Sequence, residues 1–160
     1  MAGKRAGLAG ERSGLFMEQM RIIKEMRKAD EANGRTDEYI RPRYMVWENV
    51  PGALSSNKGE DFRAVLEETA KVVEEDPDIP GPPKGGWSYS GCIMGDGWSI
   101  AWRIHDGQFW GATQYIDGRM FFPGTPQRRR RIALVADFAG SGASEVLFER
   151  KSVYGDPEPC

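Results

Sequence analysis

A short apolar run that ends in a carboxylate and an amide is the feature that most constrains the fold of this chain. The run from Tyr44 to Trp47 is β-branched and aromatic and too short for a helix, so it predicts a buried strand. Pro51 cannot donate to a strand ladder, so the strand must end near Glu48 and Asn49. We expect a parallel-type strand with Glu48 at its carboxyl edge, where open α/β sheets bind ligands. The alternative is that Glu48 caps the following turn.

Helical periodicity flanks this strand on both sides. Ser13 is the expected N-cap of an amphipathic helix that runs to about Lys28, and a second helix is expected from Asp61 to Glu75. The Pro- and Gly-rich stretch 76–86 ends the second helix. Helix, strand and helix at this spacing predict one βα unit of an α/β sheet with its preceding helix. The predicted apolar positions of the first helix are Leu15, Phe16, Met20, Ile22, Ile23 and Met26.

The second half of the chain has the pattern of antiparallel strands. Two apolar and aromatic segments, from Trp87 to Met94 and from Trp98 to His105, flank Gly95-Asp96-Gly97, which is a strong hairpin signal. The segment from Arg131 to Phe138 is apolar through its middle and is expected to be a central strand. The predicted fold class is therefore α/β, with an antiparallel hairpin in the second half of the sheet.

Composition narrows the class of protein. A chain of 160 residues with 39% hydrophobic residues can form one domain with a real core. Two cysteines, Cys92 and Cys160, are too few for a disulfide framework or a zinc site, and with His105 as the single histidine no metal site is expected. No apolar run reaches membrane length and no signal peptide is recognised, so a reducing, cytoplasmic compartment is the expectation.

Three sequence blocks, in this order, resemble the DNA cytosine-5 methyltransferases of bacteria and phages. Met1 to Leu8 followed by Arg12 to Phe16 resembles the loop and helix start that come after the catalytic Pro-Cys-Gln motif of that family. Glu48-Asn49-Val50 resembles its Glu-Asn-Val motif, and the segment from Gln127 to Ile132 resembles its Gln-Arg-x-Arg block. The resemblance covers about residues 2 to 138. It implies part of a Rossmann-like sheet that uses S-adenosylmethionine as methyl donor.

Two parts of the family pattern are missing from this sequence. Neither the Gly-rich donor-binding motif nor the Pro-Cys-Gln nucleophile is present, and Cys92 and Cys160 do not match the nucleophile's motif. The resemblance thus implies a partial catalytic domain over residues 1–140 and, over 141–160, the beginning of a target-recognition region. We expect a fragment or a subunit of a split enzyme that is inactive alone and is completed by a separate polypeptide carrying the N-terminal half.

The resemblance also implies roles for individual residues. Glu48 would bind a cytosine flipped out of double-stranded DNA, because a carboxyl group that holds a proton can donate to ring nitrogen 3 and accept from the exocyclic amine. Asn49 would orient the loop and Val50 would shape the pocket wall. Arg131 would contact the base carbonyl or flanking phosphates.

Further DNA contacts are assigned to Arg129, Gln127, Lys4 and Arg5, the last two in the loop that closes over DNA in that family. Alternation along a strand would place Arg129 and Arg131 on one face, with Arg128 and Arg130 on the other as a solvated pair. No donor-binding residue is identified, and His105 is expected to be a hairpin residue rather than a base. The alternative function is a catalytically dead DNA-binding remnant, and a bacterial or phage origin is expected.

Overall fold

A four-stranded sheet with helices on both faces organises the chain. The computed structural model describes residues 11–109, 114–117, 119–121 and 128–148. The elements in chain order are α1 Glu11–Ala32, β1 Tyr44–Asn49, α2 Glu60–Ala70, β2 Ser90–Gly95, β3 Trp98–Asp106, β4 Gln114–Ile116, β5 Arg119–Phe121, β6 Arg130–Asp137 and α3 Ala143–Leu147. The fold is therefore mixed α/β. None of the described helices is long and apolar enough to cross a membrane.

The strand order in the main sheet is β1-β6-β3-β2, and every neighbouring pair is antiparallel. The predicted hairpin is confirmed as β2 and β3, and the predicted central strand is confirmed as β6. The expectation of a parallel-type strand at Tyr44–Glu48 is wrong for the pairing that the structure describes, because β1 runs antiparallel to β6. A short apolar run specifies burial but carries no information on the direction of its neighbour.

The main core lies on the sheet face that packs against α1 and α2. Met45 and Trp47 of β1 point to this face, and Phe62 of α2 packs against Trp47 and Trp102 at centroid distances of 6.4 and 5.4 Å. Such offset and edge contacts between rings are favourable packing geometries. The core includes Phe16, Met20, Ile23, Leu54, Val65, Leu66, Trp87, Trp98, Ile100, Ile132, Leu134 and Phe138.

The opposite face of the sheet carries a smaller cluster. Ala101 of β3 and Val135 of β6 pack there against Ala143 of α3, with Leu147 and Phe148 at the rim. The short helix α3 thus covers the middle of this face. Residues 143–148 therefore pack against the sheet. The assignment of 141–160 to a recognition region stays a prediction.

The helix boundaries differ from the predicted ones. Helix α1 begins at Glu11, so Ser13 lies inside the helix and is not its N-cap, and it continues past Lys28 to Ala32. It stops where Gly34 adopts a φ of 84°, a conformation that glycine accepts at little cost.

Helix α2 ends at Ala70 rather than Glu75. The amide of Val72 bonds to the carbonyl of Thr69, a tighter turn that ends the α-helical ladder.

Gly91 of β2 lies under the ring of Trp102, its cross-strand partner in β3. A Cβ atom built at this position would overlap the indole, whose Nε1 donates to the carbonyl oxygen of Ser88 at 3.0 Å. We expect Gly91→Ala to lower the free energy of unfolding by about 1–3 kcal/mol, as overpacking usually does. Chemical denaturation measures this, and Gly81→Ala, where a Cβ meets nothing within 4 Å, is the control. Equal stability of the two variants would contradict the packing shown.

Candidate functional site

Glu48 and Arg131, which are far apart in the sequence, meet on the sheet. Glu48 is opposite Ala133 in the β1–β6 register, so Arg131, two residues before Ala133, is its diagonal neighbour on the same face. The Nε atom of Arg131 lies 2.8 Å from Oε1 of Glu48, so the two side chains form an ion pair. The side chain of Arg131 is 34% exposed and that of Glu48 is 58% exposed, so a ligand can reach both.

Asn49 and Val50 end the strand beside this pair. The Oδ1 atom of Asn49 accepts a hydrogen bond from the backbone N–H of Val50 at 2.8 Å, which fixes the chain as it leaves the sheet. A 3₁₀ turn, Pro51–Leu54, follows directly, so the predicted stop at Pro51 is confirmed. Asn49 lies on the core face of β1 and Val50 is exposed, and neither contacts Arg131 in the interactions that the structure shows.

Arg129 precedes strand β6 and is held through its backbone. Its N–H donates to Oδ1 of Asp106 at 3.1 Å, and its carbonyl oxygen accepts from the N–H of Gly107 at 2.9 Å. The side chain of Arg129 is exposed. Asp106 is not among the predicted site residues, because a hairpin signal alone gives no indication that the end of β3 reaches the segment before β6.

Arg130 and Arg131 occupy opposite faces, as strand alternation predicts. The guanidinium of Arg130 lies over the ring of Tyr89 at 4.8 Å, whereas Arg131 pairs with Glu48. Strand β6 begins at Arg130, so Arg128 lies before the strand and the alternation expected for it is not imposed by strand geometry. The arginine run therefore contributes one side chain to each face at the start of β6.

Three of the predicted DNA-binding residues, Lys4, Arg5 and Gln127, lie outside the described residues. His105, by contrast, lies in β3 directly opposite Arg131, and Arg103 lies opposite Ala133 on the same face. The guanidinium of Arg103 is 6.0 Å from the ring centroid of Phe148. Glu48 and Arg131 are thus part of a polar strip that crosses three strands beside α3.

The Glu48–Arg131 ion pair is expected to contribute little to stability. Both side chains are accessible to water, and exposed pairs of this kind contribute about 0.2–1 kcal/mol. A double-mutant cycle with Glu48→Gln and Arg131→Gln, read by urea denaturation, should give a coupling free energy in that range. A coupling free energy above about 2 kcal/mol would mean that the pair is a structural element.

Two surface grooves lie near the C-terminal end of α1 and beside β1, and neither is lined by Glu48 or Arg131. One, of about 510 Å³, is formed by Gly34, Arg35, Thr36, Tyr39 and Arg41. The other, of about 490 Å³, lies between α1 and β1 and is lined by Leu15, Glu18, Gln19, Ile22, Ile23, Pro42, Tyr44, Met45 and Val46. Within the part of the chain that the structure describes, no group of three or more His, Cys, Asp or Glu side chains could hold a metal ion.

Comparison with known proteins gives two similarities. Residues 1–72 match the family model described as C-5 cytosine-specific DNA methylase, which includes Glu48 but not Arg131. The chain is also 31% identical, over 181 aligned residues, to the DNA N-6-adenine-methyltransferase of Escherichia phage P1. That alignment covers 99% of this chain but 21% of the phage protein, so the chain spans about a fifth of that relative. No solved structure matches. Both similarities are to DNA methyltransferases. The family model is named for methylation of cytosine, whereas the phage protein is named for methylation of adenine.

Proposed function

We propose that this chain supplies the base-binding part of a DNA methyltransferase and that the base is cytosine, methylated at carbon 5. The observation that carries the proposal is the contact between Glu48 and Arg131, since it joins the Glu-Asn-Val and Gln-Arg-x-Arg blocks at one exposed position. The match to the family model includes the Glu-Asn-Val block, and the phage relative aligns with nearly the whole chain. In this proposal the sheet is the second half of a Rossmann-like methyltransferase sheet.

Glu48 acts on a base that has left the duplex, because neighbouring bases in stacked DNA cover the ring face at which the reaction takes place. Its carboxyl group donates to ring nitrogen 3 and accepts from the exocyclic amine, and this stabilises the charge that develops on the ring. Arg131 places a positive charge beside this carboxyl group, with its Nε atom 2.8 Å from Oε1. Its Nη1 atom donates to the carbonyl oxygen of Arg130 at 2.9 Å, and Nη2 is the group that donates to the base carbonyl or to a phosphate.

The nucleophile of the cytosine-5 reaction has no counterpart at this site. The exposed thiol of Cys92 lies on β2, at the opposite edge of the sheet from β1, and partial burial raises its pKa. An activated thiol has a lowered pKa instead. In this proposal the attacking thiolate belongs to a separate polypeptide, which also supplies the N-terminal half of the enzyme.

The described residues do not fit S-adenosylmethionine. The two grooves are shallow surface features that do not reach Glu48, and no Gly-rich strand-turn segment lies beside that residue in the described part of the chain. We therefore assign donor binding to the completing polypeptide and derive no step through the donor.

A second candidate is methylation of the exocyclic N6 amine of adenine. The name of the phage P1 relative, which aligns with 99% of this chain, favours it. Attack by an amine nitrogen needs no thiolate, so this candidate does not require the missing cysteine. The two candidates differ in product, 5-methylcytosine or N6-methyladenine.

Product analysis tests the proposal. The chain is mixed with the remaining segments of the phage P1 relative, expressed without the matching region, and with S-adenosylmethionine and unmethylated plasmid DNA. The DNA is then digested to nucleosides and both methylated products are quantified by mass spectrometry. We expect 5-methylcytosine only when both polypeptides are present. N6-methyladenine that depends on this chain would favour the second candidate, and robust turnover by the isolated chain would contradict the proposal.

A further inference from the structure

Arg103 of β3 lies in the same cross-strand row of the sheet as Glu48. In the strand register, Ala133 of β6 is opposite both Glu48 and Arg103. Directly opposite residues share a face, so the three side chains lie side by side in the order Glu48, Ala133, Arg103. Because neighbouring strands are about 4.8 Å apart, the Cα atoms of Glu48 and Arg103 are about 10 Å apart. The single methyl group of Ala133 is therefore the low point between two long polar side chains.

The row that contains Ala133 is open to solvent, whereas the next row on the same face is covered. Val135 and Ala101 form that next row, and both are buried against Ala143 of α3. Ala133 itself is partly exposed. The cover that α3 provides thus ends before Ala133, and a ligand that binds Glu48 can extend over Ala133 toward Arg103 without displacing a side chain from the core.

The guanidinium of Arg103 has no carboxylate partner within the part of the chain that the structure describes. Arg43 and Arg131, by contrast, each form an ion pair with a carboxylate. The contact of Arg103 is with the ring of Phe148, whose centroid is 6.0 Å away. Such a contact uses the face of the guanidinium and leaves its N–H groups to donate in the guanidinium plane. This planar fork of donors is suited to phosphate oxygens.

We propose that Arg103 binds a backbone phosphate of DNA next to the base that Glu48 binds. Base, sugar and phosphate then lie along the row, with the sugar over Ala133, and this fixes the direction in which the strand crosses the sheet. Arg128 and Arg129, both exposed before β6, add positive charge that attracts the phosphates. The inference rests on the proposed function for DNA as the ligand. It does not depend on the choice of base, because the phosphate is the same beside cytosine and adenine.

A purely structural role is the alternative for Arg103, since its guanidinium over Phe148 could secure the end of α3. Arg130 is the matched control for this alternative. Its guanidinium also lies over an aromatic ring, that of Tyr89 at 4.8 Å, but on the opposite face of the sheet. Replacing either arginine with glutamine removes one positive charge and one ring contact. The two variants therefore differ in the face of the sheet from which the charge is lost.

Fluorescence anisotropy tests the proposal with the full chain and a short labelled duplex that carries one mismatched cytosine, since a mismatched base leaves the stack at low cost. Arg103→Gln should weaken binding about tenfold, the loss typical of one hydrogen-bonded contact to a charged group. It should also reduce the slope of log affinity against log salt concentration by about 0.9, the change expected for one lost phosphate contact. Arg130→Gln should leave both quantities close to those of the wild type.

Two further variants separate charge from packing and locate the nucleotide. Arg103→Lys keeps the charge, so it should keep the salt slope of the wild type. Ala133→Leu fills the position assigned to the sugar and should weaken binding. Ser90→Leu is its control, because Ser90 of β2 is exposed and lies opposite Arg103 on the side away from Glu48, so the added bulk should not affect binding. Thermal unfolding of each variant shows whether it is folded.

Several results would overturn the proposal. These are failure of the wild-type chain to bind the duplex at low salt, equal effects of Arg103→Gln and Arg130→Gln, equal effects of Ala133→Leu and Ser90→Leu, and loss of binding only in parallel with thermal stability. Displacement of the duplex by inorganic phosphate at constant ionic strength would indicate a site for free phosphate and would also overturn it. DNA binding that depends on Arg103, without either methylated product, would leave the phosphate contact standing and count against the proposed function instead.

Discussion

Replacing Asp137 with alanine is expected to lower the free energy of unfolding by about 3–5 kcal/mol, as the removal of one partner of a buried ion pair generally does. The side chain of Asp137 has no solvent exposure and accepts from Arg43 twice, at 2.9 Å from Nε and 3.0 Å from Nη2. It also accepts from the backbone N–H groups of Ala139 and Gly142. Alanine would leave all of these donors without their acceptor, next to the segment that leads into α3.

The pH dependence of stability provides the check. Burial alone would raise the pKa of Asp137, but hydrogen bonds from Arg43, Ala139 and Gly142 outweigh it, and the pKa lies below its ordinary value. The ionised carboxylate of Asp137 therefore adds its full share to the free energy of unfolding above the unfolded-state pKa of about 3.9. That share is lost as the pH falls through the folded-state pKa. Urea denaturation should show a large difference between wild type and Asp137→Ala at pH 7, and a smaller difference at acidic pH.

Asp137→Asn is the conservative companion, since it keeps the shape and one acceptor oxygen while it removes the charge. Asp137→Asn should lower the free energy of unfolding by less than Asp137→Ala does. In both variants the free energy of unfolding should fall less at acidic pH than it does in the wild type. A loss below about 1 kcal/mol for Asp137→Ala, which is typical of exposed ion pairs, would show that the pair is not buried in solution.

Local pattern was sufficient for elements whose signals lie within one segment. The hairpin follows from Gly95-Asp96-Gly97, and the end of β1 follows from Pro51, because both depend on backbone preferences of adjacent residues. Alternation along β6 also separated Arg130 from Arg131. The Glu48–Arg131 contact lay beyond local pattern, and it was the family resemblance that placed the two residues in one site.

Pairing between distant segments could not be predicted in this way. Nothing in residues 44–49 specifies β6 as the neighbour or antiparallel as its direction, so the parallel expectation failed there. Asp137 ends an apolar strand and gives no sign that it is buried, since only the tertiary fold brings Arg43 to it. The exposure of Leu15 and Ile22 was also unpredictable, because helical periodicity identifies an apolar face but not how much of it the rest of the chain covers.

Replacing Glu48 with glutamine is expected to lower methyl transfer by the complemented enzyme by about 10²–10⁴-fold, the range that a positioned acid or base contributes. Glutamine keeps the size of the side chain but cannot hold or release the proton that ring nitrogen 3 requires. Because Glu48 acts on the base during reaction, the loss should fall mainly on kcat, with a smaller change in KM for DNA. The measurement is steady-state transfer of labelled methyl groups to DNA.

The control for this variant is Glu145→Gln, an exposed carboxylate on α3, which should leave methyl transfer within twofold of wild type. Thermal unfolding of Glu48→Gln should remain close to that of the wild type, since the ion pair with Arg131 is exposed and adds little stability. Unchanged transfer in Glu48→Gln would remove this carboxyl group from the chemistry. A parallel loss of transfer and of thermal stability would instead indicate that Glu48 maintains the fold, so the two measurements together separate a catalytic role from a structural one.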